Sequence, residues 1–318
     1  CARARARFSF TKIINYIFNF MTKRKIIVRI GYQHSSTFPL NNGIPQGSPL
    51  SVISFLIAFN KLYGIISINK DISLSAYADD LNLIIRSDNK NPVLLLNNLF
   101  DNIQNWCVEY GAILSTNKCK FLHICRKNNC HCSIESGNFN ITEVDSLRVL
   151  GLYLNKKYNW KNHIDFLKSS LSKRLNIIKY LSNTKNNCST ETLLSIIRAL
   201  ILSKINYGLQ IYGHAPKSYI KKIESIVNSA LRFALGAFRT TPIKNLLFES
   251  NILSLNAQTD ILTTKLYRSI IYDNYTPLKK IVNKLKAAKK IPRIPSVLYR
   301  TLQNCHLLDI PLDAVIPR

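Results

Sequence analysis

Residues 75–85 read SAYADDLNLII, two adjacent carboxylates, Asp79 and Asp80, between apolar stretches. This feature constrains the fold more than any other. Alternation with a period of two calls for strands. Two like charges held against a core repel each other and cost desolvation. A chain that turns at the pair escapes the conflict, so residues 74–85 are predicted to be two short strands meeting at Asp79 and Asp80. The tip then projects into solvent or a cleft. There the repulsion disappears when divalent cations bind, and Mg²⁺ prefers a few carboxylates plus phosphate oxygens. Two such ions, about 4 Å apart, activate an attacking hydroxyl and stabilise a leaving oxygen in phosphoryl transfer. An ordinary Asp-rich turn reads the same way locally.

The surroundings of the pair predict a mixed first half. Residues 11–21 carry apolar residues at helical spacing, and KIIVRIGYQHSSTFPL alternates like strands. NNGIPQGSPLS is a turn-rich loop leading into an apolar helix over 52–66. An amphipathic helix is expected over 92–111, stopped by Gly111, and mostly strand over 121–154. From Trp160 the pattern is helical, over about 160–181, 190–207 and 220–235. The change from mixed α/β to α falls near Tyr158. At 318 residues the chain is long enough for two domains.

Charge narrows the partner. Lys+Arg number 44 against 17 Asp+Glu, a net +27, and no acidic residue occurs before Asp71. A polyanion, nucleic acid above all, is the simplest reason. Drift in an AT-rich genome, which favours Asn, Lys and Ile, is the alternative. The eight cysteines lack regular spacing, so a reduced intracellular setting fits better than a disulfide framework. The cluster HICRKNNCHC holds His123, Cys125, Cys130, His131 and Cys132. A zinc site is one reading. A hairpin turning at Asn128-Asn129, which splits Cys130 and Cys132 from His131, is the other and is preferred.

No apolar run approaches the roughly 20 residues of a membrane span. The longest, over 193–202, is broken by Ser195 and Arg198 and reads as a buried amphipathic helix. The basic start, CARARARFSFTKIINYIFNFMTKRK, mimics a targeting peptide but begins with Cys. It is read as a fragment edge or a misjoined stretch.

Four motifs occur in order: GIPQGSPLS (43–51), AYADD (76–80), NKCKF (117–121) and LRVLGLYLN (147–155). Together they resemble the palm of a reverse transcriptase, most closely that of non-LTR, LINE-like retrotransposons of the jockey-like kind. WKNHI, INYGLQIYG and NSALRFALGAFRTTPIKNLLFES resemble that family's thumb and post-thumb helices. The resemblance implies an α+β fold, a partial right-hand polymerase palm of antiparallel sheet and helices, then an all-α thumb and post-thumb region. Residues 1–158 would be incomplete fingers and palm, 159–240 the thumb, and 241–318 a post-thumb segment.

The resemblance also implies roles. Asp79 and Asp80 would be catalytic and hold Mg²⁺ or Mn²⁺. Pro45, Gln46, Gly47 and Ser48 would contact the template base and nucleotide. Gly43 and Gly47 suit close backbone approach, and Gln46 both donates and accepts near a base pair. Tyr77 would pack under the primer terminus, as a core aromatic also would. Lys118 would neutralise departing pyrophosphate, though a surface lysine is its bland reading. Leu150 and Gly151 would form the primer grip. Trp160 and His163 anchor the first thumb helix. Lys168, Lys173, Arg174 and Lys179 would follow phosphates of an A-form hybrid, or line a solvated face. One departure shows: Val52 stands where the family usually has Pro.

Expected partners are an RNA template, a DNA primer, their hybrid and deoxynucleoside triphosphates, with no membrane. The setting is intracellular, with the nucleus implied by the resemblance. The family's palm carries a further catalytic Asp on a strand before the GIPQG loop, and this sequence has no acid there. The reading is therefore the C-terminal part of the polymerase region, with an incomplete two-metal site and no activity of its own. A non-catalytic nucleic-acid-binding remnant and a maturase-type intron reverse transcriptase remain as alternatives.

Overall fold

The structure is a computed structural model and describes residues 2–41, 43–67, 72–85, 92–124, 134–136, 139–183, 188–272, 278–280 and 283. The Cys125–Cys132 part of the His/Cys cluster, Asp71, Asp88 and most of the chain after Tyr272 lie outside the described residues. The architecture is α+β, helices with small antiparallel sheets, each of two strands among the described residues. The chain divides into two compact units: Cys1–Phe121 with His131–Glu143, and Leu122–Cys130 with Val144–Arg318.

The first unit begins with α1 (Ala2–Met21), which runs further upstream than its apolar spacing suggests. Short ladders follow: β1 (Arg24–Ile26) pairs with β4 (Phe38–Leu40), and β2 (Arg29–Ile30) with β3 (Gln33–His34). The apolar helix α2 spans Pro49–Ser67, starting three residues earlier than its hydrophobic run because Pro49 fits the first helical turn. The predicted hairpin is β5 (Ile72–Tyr77) and β6 (Asp80–Ile85), antiparallel, with Tyr77 opposite Asp80. α3 (Pro92–Tyr110) ends as expected at Gly111, φ 64°. Gly111 N–H donates to Val108 O (3.4 Å) and Ala112 N–H to Cys107 O (2.9 Å), the paired bonds of a Schellman stop. Among the described residues of the 121–154 stretch the strands are β7 (Ile134–Ser136), β8 (Phe139–Ile141), β9 (Ser146–Val149) and β10 (Leu152–Asn155).

The core of this unit is small. Leu62 and Ile66 of α2, Ile72 of β5, and Leu99, Ile103, Trp106 and Cys107 of α3 are buried together. Phe59 stands edge-on to Trp106 at 5.0 Å. The far side of α2 is exposed at Val52, Ile53, Leu56 and Ile57. By length and composition alone, Pro49–Ile66 is apolar enough to cross a membrane. This corrects the expectation that no such run exists. The helix carries Asn60 and Lys61 among its apolar residues, and its mean over 18 residues stays apolar. Within that window Leu62 and Ile66 are buried, 11% of its residues.

The second unit holds α4 (Lys161–Leu181), α5 (Thr190–Ile197), a π-helical turn (Arg198–Leu202), α6 (Ser203–Asn206), α7 (Leu209–Tyr212), α8 (Lys217–Leu235), α9 (Ile243–Glu249) and α10 (Leu255–Tyr272). Ile164, Leu167, Leu171 and Ile178 form one buried stripe on α4. They share a core with Ile220, Ile223, Val227, Ala230, Leu231 and Ala234 of α8. The β9–β10 hairpin belongs to this unit and packs on α4. The main run of the second unit thus starts at Val144, although its helices begin at Lys161.

Candidate active site

Asp79 and Asp80 sit at the tip of the β5–β6 hairpin, both exposed. The two-residue turn is Ala78-Asp79, and Ala78 adopts φ 51°. A non-glycine residue there is strained, by about 1 kcal/mol or more. Neither carboxylate has a hydrogen-bond or ion-pair partner among the described residues. Nor does any group of three or more His, Cys, Asp or Glu side chains converge among them. Two adjacent, unpartnered carboxylates form an oxygen donor set that suits a hard divalent cation with phosphate oxygens completing it. Tyr77, next to the tip, is 67% exposed rather than packed in the core.

The GIPQGSP loop is built by its own sequence. Gly43 and Gly47 take φ 81° and 91°, where side chains are strained. Ser48 caps α2: its Oγ accepts the Leu50 N–H (3.3 Å), and Pro49 follows at the first helical position. Ser51 Oγ donates back to Pro45 O. Arg24 holds the other end, Nε to Met21 O (3.0 Å) and a terminal nitrogen to Gly43 O (2.5 Å). Pro45 and Gln46 line a cavity of about 420 Å³ with Phe20, Arg24, Lys25 and Leu40. Sequence reasoning missed Arg24, because a side chain that grips backbone carbonyls leaves no motif.

Lys118 ends a 3₁₀ turn, Thr116–Lys118, with its side chain exposed and no ion pair to either aspartate. Leu150 and Gly151 form the β9–β10 turn, with φ 45° and 86°. Two consecutive left-handed residues match the twist of a tight hairpin, and Leu at the first is costly. The turn is held from α6: Tyr207, directly after it, donates its hydroxyl to Leu150 O (2.5 Å). A Cβ on Gly151 would stand 3.2 Å from the Tyr207 ring, and one on Gly208 only 2.8 Å from Leu152. Tyr207 carried no separate signal in the sequence.

His163 is buried behind this hairpin, 2% exposed. Its Nδ1 accepts the Tyr153 N–H (3.5 Å), which leaves the proton on Nε2. The ring stands edge-on to Tyr212 at 4.6 Å. Burial, helped by the Lys204 charge, lowers its pKa to about 4. Among the α4 cations, Arg174 donates to Leu200 O in the π-helical turn, so it is committed to the fold, whereas Lys168, Lys173 and Lys179 are exposed.

Comparison with known proteins places these motifs in a family. Residues 3–167 match the family described as reverse transcriptase (RNA-dependent DNA polymerase). The chain belongs to the reverse transcriptase family. It is 22% identical over 224 residues to the RNA-directed DNA polymerase from mobile element jockey of Drosophila melanogaster, covering 69% of this chain and 24% of that protein. The jockey polymerase of Drosophila funebris is 23% identical over 236 residues, 71% of this chain and 25% of its own. A probable RNA-directed DNA polymerase from transposon X-element of Drosophila melanogaster is 21% identical over 226 residues, 69% and 24%. The non-LTR retrotransposon resemblance read from the motifs is borne out by these relatives. This reverse transcriptase chain spans about a quarter of the length of the curated relatives it matches.

Proposed function

We propose that this chain is the palm-and-thumb portion of an RNA-directed DNA polymerase of a non-LTR retrotransposon. The first unit supplies the metal-binding hairpin and nucleotide loop, and the second supplies primer grip and thumb. The observation that carries this reading is the exposed, unpartnered Asp79–Asp80 pair at a hairpin tip, in a chain of the reverse transcriptase family. The reaction is attack of a primer 3′ hydroxyl on the α-phosphate of a deoxynucleoside triphosphate, forming one P–O bond and releasing pyrophosphate. Asp79 and Asp80 would hold Mg²⁺ or Mn²⁺, which supplies charge neutralisation at the transferring phosphoryl group. Pro45, Gln46, Gly47 and Ser48 form the wall against template base and nucleotide, with Tyr77 beside the tip. Lys118 balances the charge of the departing pyrophosphate. Leu150 and Gly151 bear on the primer strand, and the template is RNA.

A non-catalytic nucleic-acid-binding role stands beside this on one observation: no third acidic side chain joins the pair among the described residues. The experiment that tests the polymerase reading probes the metal rather than turnover. Fe²⁺ replaces Mg²⁺ in the presence of ascorbate, with an RNA–DNA hybrid bound to the purified chain. Polypeptide cleavage is expected near Asp79 and Asp80, and it disappears in the Asp79→Ala, Asp80→Ala variant. Cleavage that ignores the substitution, or no hybrid binding at low salt, overturns the reading.

A further inference from the structure

Outside the aspartate hairpin, the second unit repeats the same electrostatic problem with the opposite sign. Arg148 on β9 lies directly across from Tyr153 on β10. Its guanidinium carbon is 5.8 Å from the Tyr153 ring centre and 5.9 Å from that of Phe166 on α4. Lys204 of α6 places its ammonium 5.6 Å from the same Phe166 ring. The two rings are themselves 5.0 Å apart. Two cations from separate elements thus converge on one aromatic pair. Neither has an acidic partner among the described residues, while Lys61, Lys156 and Lys222 each do. A cation–π contact contributes about 0.5–1 kcal/mol at an exposed site. It leaves the mutual repulsion of the two cations in place, and their hydrogen-bond donors have no protein acceptor among the described residues.

We infer that Arg148 and Lys204 form a binding site for a backbone phosphodiester of nucleic acid, floored by Tyr153 and Phe166 beside the Leu150–Gly151 turn. The inference rests on the nucleic-acid reading above and assigns residues to it. The guanidinium fork matches two phosphate oxygens and the ammonium adds a point charge. The site is preorganised. Arg148 rides on the hairpin and Lys204 on α6, and the Tyr207 hydroxyl bond to Leu150 O ties those two elements together. Three features favour a polymer over a free anion. Arg148 is exposed, the aromatic floor offers apolar surface to a sugar, and the adjoining Leu150 side chain is 43% exposed. His163 next to Lys204 stays neutral and adds no third charge.

The test uses the full chain, a fluorescent RNA–DNA hybrid and a salt titration. The log–log slope of affinity against salt is expected to shrink by about 0.7–0.9 for each cation removed in Arg148→Gln, in Lys204→Gln and additively in the double variant. Arg148→Lys keeps the slope. A second measurement needs no variant: acylation of Lys204 by an amine-reactive ester, read by mass spectrometry, is slowed by saturating hybrid. Inorganic phosphate, pyrophosphate and a poly-glutamate peptide are run as competing probes and leave Lys204 reactive. An unchanged slope in the double variant, or equal acylation with and without hybrid, overturns the site. Protection by the small anions or by the acidic peptide at concentrations matching the hybrid's phosphates overturns its assignment to a nucleic-acid backbone. Hybrid binding with an unaltered slope removes this inference alone, whereas absence of hybrid binding removes the proposed function with it.

Discussion

His163 shows how one side chain couples packing to pH. Its folded pKa, about 4, lies below the ordinary value of 6.5, because burial and Lys204 disfavour the charged form. The unfolded chain therefore binds the proton more readily between those two values. Stability from this group is complete above about pH 6.5 and is lost as pH falls toward 4. Between pH 7 and pH 5 the helical unit is expected to lose about 2 kcal/mol from His163. Urea unfolding at the two pH values measures it, and the His163→Gln variant flattens that difference. A second residue-scale expectation concerns Tyr207. Tyr207→Phe deletes only the hydroxyl that donates to Leu150 O, at a cost of about 1 kcal/mol, and amide exchange at the hairpin turn should quicken. Gly151→Ala is expected to cost at least as much, since it adds strain at φ 86° and crowds the Tyr207 ring. A Gly151→Ala chain with unchanged unfolding midpoint would show that the turn tolerates a side chain there.

At the scale of elements, the loop from Gly43 to Ser48 is fastened at both ends, by Arg24 to Gly43 O and by the Ser48 cap on α2. Ser48→Ala is expected to destabilise the start of α2 by about 1 kcal/mol. Arg24→Ala should speed amide exchange over residues 43–51 while leaving α3 protected. Equal exchange in both variants and the unmodified chain would mean that neither fastening matters. These elements also show what was legible in the sequence. The β5–β6 hairpin, the stop of α3 at Gly111 and the stripe on α4 were all readable, because each follows from local periodicity or a turn residue. The aspartate tip was readable for the same reason. Arg24, Tyr207 and the Arg148–Lys204 pair were not. Each acts on another element through a backbone carbonyl or an aromatic face, Arg24 across 19 residues and Tyr207 across 57, and such partners carry no residue-type signature. The π-helical turn at Arg198–Leu202 was invisible as well. Its extra residue is accommodated by Arg174 reaching Leu200 O from another helix.

At the scale of the whole molecule, the net charge of +27 and the carboxylate pair make different demands. Positive charge spread over the surface is enough to hold an RNA–DNA hybrid, and holding it needs no metal. Nucleotide transfer needs hard cations clamped by several oxygens around one phosphate. The described residues offer Asp79 and Asp80 from a single turn, and no third acid, histidine or cysteine joins them there. The sequence carries no acidic residue before Asp71, so no carboxylate can come from α1 or the β1–β4 ladders. The 318-residue chain by itself is therefore expected to bind primed RNA template yet not to extend the primer, in Mg²⁺ or in Mn²⁺. The measurement is primer extension with the purified chain beside its Asp79→Ala, Asp80→Ala variant. Extension that vanishes in the variant would mean that another oxygen donor completes the site within these 318 residues. Extension that persists in both would come from a contaminating polymerase. Binding without extension in either is the outcome that two carboxylates on one hairpin tip require.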